Sequence, residues 1–153
     1  MSENQTILPL EVIRIAHKGY HCFVKMKLND VTLRMVLDTG ASRTILDIEA
    51  IRKLGLEDEM EIQEEKATSI GAENIDAHTI RLEEITIGEF KLFDYSVGIM
   101  DLRQVNQSYD MLELPTVEGI LGSDLLERFK VTIDFGLRRL VFKKQEEQQG
   151  EEV

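Results

Sequence analysis

The sequence predicts a small, mostly antiparallel β domain with two short helices. Apolar and polar residues alternate with a period of two along most of the chain, as in strands with one buried face. Asn, Asp and Gly residues separate these segments, as is typical of turns. With 153 residues, 42% of them hydrophobic, the chain can form one well-buried domain and is too short for two.

The first third of the chain is predicted to form antiparallel strands. They cover residues 10–15, 22–28 and 31–37. Residues 17–20 interrupt the first alternation, and Asn29-Asp30 is a typical turn pair between the second and third strands. The third strand, with its apolar end Met35-Val36-Leu37, therefore forms the second arm of a hairpin.

The segment Asp38-Thr39-Gly40-Ala41-Ser42 follows this third strand directly. A sheet would then hold the Asp38 carboxylate at its edge, close to the backbone donors of a glycine-containing loop. After it, a short helix is predicted over residues 48–54, with Asp47 as its N-cap and Gly55 ending it.

The rest of the chain continues as strands, with one further helix. Strand-like segments cover residues 67–70, 77–82, 85–87 and 91–100. Residues 101–116 show no clear period and are predicted to form a loop. Ser123 is the expected N-cap of a helix over residues 124–129, and a last hairpin joins residues 131–134 and 139–142 through Gly136.

Composition argues against several classes of partner. A net charge of -11 argues against binding nucleic acid or an anionic membrane through a broad positive surface. No segment has the length to cross a bilayer, and the first residues lack the pattern of a secretory signal, so a cytoplasmic location is expected.

The sequence predicts no metal site and no cofactor. The single cysteine, Cys22, permits no internal disulfide. His17, His21 and Cys22 flank a turn and lack a fourth ligand, so ordinary surface or core roles are the better interpretation.

The motif Leu37-Asp38-Thr39-Gly40-Ala41-Ser42 resembles the catalytic signature of the retropepsin-like aspartic proteases. A second element supports this: Ile120-Leu121-Gly122 lies 84 residues after the acid and is followed by a predicted short helix and strand. The resemblance covers residues 10–143. It implies a closed antiparallel β barrel with one or two short helices, active as a homodimer with twofold symmetry.

The single copy of the motif explains why a dimer is expected. Peptide hydrolysis by paired carboxyls needs two acids that share one proton, and one chain supplies only Asp38. Two such acids can meet on a twofold axis. By resemblance, Thr39 would bond the opposite loop and the Gly40 amide would orient the carboxylates. Ala41 leaves the loop unobstructed, while Ser42 stands where many viral members carry an acid.

The resemblance also assigns roles outside the motif. Gly122 would allow close approach of two backbones, with Ile120 and Leu121 in the core. The flap over the cleft is expected at Ile70, Gly71 and Ala72, although Gly71 fits an ordinary hairpin turn equally well.

The expected domain boundaries follow from this resemblance. Residues 1–9 are either flexible or part of the dimer interface, residues 10–143 form the protease domain, and residues 144–153 form an acidic, disordered tail. Residues 7–10 and 140–142 are the candidate interface strands.

Two function classes follow. The first is a homodimeric aspartic endopeptidase that acts on extended polypeptides, with Asp38 of one subunit as base and that of the other as acid. The second is a catalytically inactive retropepsin-like module that dimerises or binds a peptide. The intact motif favours the enzyme, because a binding module has no need of a costly pair of like charges.

Overall fold

The computed structural model describes residues 4–17, 19–62 and 78–145. The strands are β1 (Gln5–Pro9), β2 (Glu11–Ile15), β3 (Gly19–Leu28), β4 (Val31–Leu37), β5 (Ile45–Asp47), β6 (Met60–Ile62), β7 (His78–Ile87), β8 (Phe90–Met100), β9 (Gly119–Leu121), β10 (Thr132–Asp134) and β11 (Arg139–Lys143). The helices are α1 (Ile48–Lys53), α2 (Arg103–Met111) and α3 (Ser123–Arg128), with a 3₁₀ turn at Glu57–Glu59. The described residues are therefore mostly β, as the alternation predicts.

Most strands belong to one sheet of eight, in the order β2-β3-β4-β9-β5-β8-β7-β6. The end of β3 also pairs with β7, where Lys27 is opposite Thr86 and Leu28 is opposite Ile85. The sheet thus curves back onto one of its own strands and encloses the main core, which contains Met35, Leu46 and Ile80 among others.

The position of β9 between β4 and β5 is the feature of the topology that shapes the site. β9 runs parallel to β4, with Leu37 opposite Leu121, and antiparallel to β5. β5 also runs parallel to β8. The described pairings are therefore mostly antiparallel, as predicted, with these two parallel exceptions. The exceptions could not be predicted from the sequence, because strands of three residues are too short to show a readable alternation.

A second sheet has the order β1-β11-β10. Residues 5–9 form β1, which pairs with β11 of the same subunit so that Ile7 is opposite Val141. Thr6 is buried in β1, and its hydroxyl accepts a hydrogen bond of 2.9 Å from the backbone N–H of Glu89. The two candidate interface strands are thus neighbours, and their role in a dimer stays a prediction.

The predicted turns and first helix are confirmed, but the capping roles are not. Asn29 and Asp30 both have positive φ, at 52° and 69°. α1 is followed by Gly55 as expected, yet Asp47 makes no side-chain hydrogen bond to this helix. Its carboxylate accepts instead from the Leu102 backbone N–H at 2.9 Å, just before α2. Ser123 is the first residue of α3, whose N-cap is Gly122.

The prediction of a loop over residues 101–116 is wrong, because α2 occupies Arg103–Met111. Leu102 and Tyr109 belong to a second apolar cluster, whose other buried members are Ile15, Phe23 and Val117. Asn106 lies between Leu102 and Tyr109, and its amide bonds both backbone groups of Val117, at 2.8 and 2.9 Å. A polar residue at this inward position obscures the apolar period of the helix in the sequence. The described residues hold three α-helices, where one or two were expected.

Two further differences concern the segment before β8. The predicted strands over residues 77–82 and 85–87 form the single strand β7, which continues through Glu83 and Glu84. The predicted strand over residues 67–70 lies outside the described residues, as do the flap candidates Ile70, Gly71 and Ala72 and the tail from residue 146 onward.

No helix among the described residues is long and apolar enough to cross a membrane.

Candidate active site

Asp38 lies immediately after β4, on a loop that is held by its own backbone. The Asp38 N–H donates to the Leu121 carbonyl at 3.1 Å, and the Ala41 N–H donates to the Asp38 carbonyl at 3.1 Å. The Gly40 N–H donates to Asp38 Oδ1 at 2.9 Å. Asp38, Thr39 and Gly40 are all exposed in the single chain. The carboxylate is therefore oriented by a backbone donor and remains open to solvent.

The second signature fixes this loop from the other side. The Ser123 N–H donates to the Ala41 carbonyl at 2.8 Å. A Cβ on Gly122 would lie 2.7 Å from the Arg43 carbonyl carbon and oxygen and 2.9 Å from the Ala41 oxygen. The loop and the end of β9 can approach this closely only because residue 122 is glycine.

Ile120 and Leu121 point to different environments. Leu121 belongs to the main core, where it is 2% exposed. Ile120 is half-buried, packs against the second apolar cluster and also lines the cleft beside Asp38. The expectation that both are core residues is therefore met by Leu121 and only in part by Ile120.

An open cleft of about 320 Å³ lies next to Asp38. Its walls combine small and apolar residues with few polar ones: Ala41, Ser42, Arg43, Ile45, Gly98, Ile99, Met100 and Ile120. Among these described lining residues Asp38 is the sole carboxylate. The cleft can therefore hold an apolar side chain next to a single acid, which is the usual composition of a binding site with a few placed polar groups.

Three residues that the sequence analysis missed support the loop. Thr44 is fully buried, and its hydroxyl donates to Asp124 Oδ1 at 2.8 Å and accepts from the Gly122 N–H at 3.1 Å. The Tyr95 hydroxyl donates to Asp124 Oδ2 at 2.7 Å. In the sequence these three residues lie in separate segments, and only Asp124, in the predicted helix after Gly122-Ser123, stands next to one of the two signatures.

Tyr95 stays neutral in this environment. Burial raises the pKa of its phenol, and the hydrogen bond to the Asp124 carboxylate raises that pKa further. The phenol therefore keeps its proton and acts as a donor across the whole neutral range.

The fold is shared with solved retropepsin-like structures. A retropepsin-like aspartic protease from Rickettsia conorii matches with a TM-score of 0.56 and 22% identity, over 94% of this chain and 97% of that one. The retroviral protease-like domain of Ddi1 from Leishmania major matches with a TM-score of 0.50 and 17% identity, over 74% of this chain and 81% of that one. At these identities the likeness shows the fold alone.

Sequence comparison adds the family. No curated protein matches this chain at a significant level. The family model described as aspartyl protease matches residues 24–125, which include both the Asp38 loop and the Gly122 segment that supports it. This chain is therefore a member of the aspartyl protease family, with a retropepsin-like fold.

Proposed function

We propose that this protein is a homodimeric aspartic endopeptidase that hydrolyses peptide bonds with a water molecule activated by the two Asp38 carboxyls. The observation that carries this proposal is the exposed Asp38 carboxylate at the cleft, oriented by the Gly40 N–H at 2.9 Å. The described lining of the cleft supplies no second acid, so the partner needed for catalysis comes from another subunit.

The chemistry requires unequal protonation of two like groups. Two carboxyls about 3 Å apart cannot both ionise, so the pair holds one proton and titrates as a unit. The ionised Asp38 takes a proton from water, while the protonated Asp38 of the other subunit donates to the scissile carbonyl oxygen. The hydroxide formed from the water adds to the carbonyl carbon and gives a gem-diol. The carboxyl that took the proton from water then donates it to the peptide nitrogen as the C–N bond breaks, and a gem-diol hydroxyl returns a proton to the other carboxylate, which restores the single shared proton.

The neighbours of Asp38 have roles that fit their positions. The exposed Thr39 hydroxyl donates to backbone of the opposite loop and holds the two subunits together. Ala41 and Ser42 border the cleft, where they leave space for substrate. The substrate lies extended beside the cleft and pairs with it as a strand would. The β3–β7 pairing supports the closed barrel that such a dimer is built from.

The test is cleavage of an unfolded polypeptide by the purified protein, with the fragments identified by mass spectrometry. We expect internal cleavage that is fastest on the acid side of neutrality, where one carboxyl of the pair stays protonated. At low protein concentration the specific activity should rise with concentration, because only the dimer has two acids. A dimer that binds the polypeptide and never cleaves it would replace this proposal with the inactive peptide-binding module.

Replacing Thr39 by Val is expected to weaken the dimer and leave the fold of the subunit intact. Two symmetric hydrogen bonds, each contributing about 1 kcal/mol net, correspond to a rise of about 30-fold in the dimer dissociation constant. Analytical ultracentrifugation measures this constant directly. Thr32→Val is the matched control, since Thr32 is also exposed but lies within β4. An equal effect of both substitutions would contradict the role given to Thr39.

A further inference from the structure

We propose that Tyr95 is a positioning residue for the catalytic loop (residues 38–44), and that it acts through Asp124 and Thr44. This inference rests on the proposed peptidase function, since it assigns a role in that reaction to a residue of β8 outside both signatures. Tyr95 does not line the described cleft next to Asp38. Its influence must therefore pass through the hydrogen bonds that connect it to the loop.

The connection is a continuous set of short hydrogen bonds. Tyr95 donates to one oxygen of Asp124 at 2.7 Å, and Thr44 donates to the other at 2.8 Å. The Thr44 hydroxyl in turn accepts the Gly122 N–H at 3.1 Å. Both carboxylate oxygens are thus used by donors from different parts of the chain, so Asp124 bridges β8 to the end of the catalytic loop.

Burial of Thr44 makes the hydrogen bonds of its hydroxyl costly to lose. Thr44 is fully buried, so water cannot replace a hydrogen bond that its hydroxyl loses. The loop over residues 38–44 is held at its start by the Asp38 N–H to Leu121 bond and at its end by Thr44. If the end moves, the geometry of Asp38 moves with it, and a small displacement of a reacting group costs catalysis heavily.

Strand β8 contacts the loop at further points beside Tyr95. The Gly98 N–H donates to the Thr44 carbonyl at 3.0 Å, and Arg43 Nη2 donates to Ser96 Oγ at 3.2 Å. The same strand supplies Gly98, Ile99 and Met100 to the wall of the cleft. Strand β8 therefore both lines the cleft and contacts the catalytic loop. The hydrogen bond of Tyr95 attaches this strand to Asp124.

The first experiment compares Tyr95→Phe with Tyr109→Phe in the full-length protein. Tyr95→Phe keeps the ring and removes the hydroxyl, and we expect kcat to fall about 10-fold with KM changed less than about 2-fold. Tyr109 is the control, since its ring is buried where that of Tyr95 is half-buried, and its hydroxyl bonds His21 Nδ1 at 2.9 Å in the second apolar cluster. Loss of the Tyr109 hydroxyl should lower the free energy of unfolding by about as much as loss of the Tyr95 hydroxyl, and it should change kcat by less than about 2-fold.

The second measurement, amide hydrogen exchange, tests how firmly the loop is held and does not depend on activity. In Tyr95→Phe the Gly122 and Gly98 amides, which bond Thr44, should exchange their hydrogens faster than in the parent, while Tyr109→Phe leaves them unchanged. Asp124→Asn should restore most of the protection that Asp124→Ala loses, because an amide oxygen still accepts one of the two hydroxyls.

These readouts separate the two proposals. If the Gly122 and Gly98 amides of Tyr95→Phe exchange their hydrogens as slowly as those of the parent, the positioning role is overturned. Faster exchange of these amides with an unchanged kcat would overturn it as well. If the parent cleaves no polypeptide under any condition, the proposed peptidase function fails, while exchange at Gly122 still decides whether Tyr95 holds the loop.

Discussion

The Asp38→Asn variant is expected to lose peptide hydrolysis by a factor of roughly 10²–10⁴ or more, with the fold of each subunit retained. Asn has the size and shape of Asp, and its side-chain oxygen can still accept the Gly40 N–H that orients the wild-type carboxylate. A neutral amide can neither take a proton from water nor share one with its twofold mate. Cleavage of an unfolded polypeptide, followed by mass spectrometry, measures the loss.

Mixing the variant with the parent tests whether the acids work as a pair. Every mixed dimer would carry one carboxyl, so excess variant should reduce activity beyond simple dilution once subunits have exchanged. Asp30→Asn is the control, since Asp30 is an exposed turn residue with φ of 69°, a conformation that Asn tolerates. Full activity of the Asp38→Asn protein would refute the paired-acid mechanism. So would a loss of activity in the mixture that is no larger than dilution of the parent predicts, once subunits have exchanged.

The second large effect is expected for Gly122→Ala, in stability as well as activity. The added methyl group would lie 2.7 Å from the Arg43 carbonyl carbon and oxygen and 2.9 Å from the Ala41 oxygen. These are backbone atoms, so no rotamer change relieves the collision and the loop must separate from β9. We expect the free energy of unfolding to fall by about 3 kcal/mol, together with loss of cleavage. Urea denaturation measures the first effect.

A glycine elsewhere in the same domain provides the control. A Cβ on Gly136, in the β10–β11 turn, would meet its nearest neighbour, Asp134 Oδ1, at an ordinary 3.4 Å. Gly136→Ala should therefore change the unfolding free energy by less than about 0.5 kcal/mol. Equal losses in the two variants would show that the close approach at Gly122 is not the cause.

Local patterns were sufficient for the parts of the fold that depend on neighbouring residues. Alternation located β3 and β4, and the Asn29-Asp30 pair located the turn between them, because side-chain direction and turn geometry are set within a few residues. The same reasoning located Asp38 at the end of β4. The resemblance then connected it with Gly122, whose contact with the loop the structure shows.

Other parts depend on residues that meet only in three dimensions. α2 was missed because Asn106 faces inward to bond Val117, and the caps were misjudged because Asp47 bonds Leu102 instead of its own helix. Tyr95, Asp124 and Thr44 come from three separate segments. Nothing within a short stretch of sequence distinguishes them from ordinary strand and helix residues, so their cluster could not be predicted.

The insertion of β9 between β4 and β5 also determines when the Asp38 loop of a growing chain gains its support. Met35 to Leu37 pair with Gly119 to Leu121, which a ribosome makes more than eighty residues later. Closing such a distant contact is slow compared with forming a local hairpin. During synthesis the acid loop therefore lacks its support until residues 119–123 have been made, so a chain interrupted before them holds Asp38 without its contacts to β9.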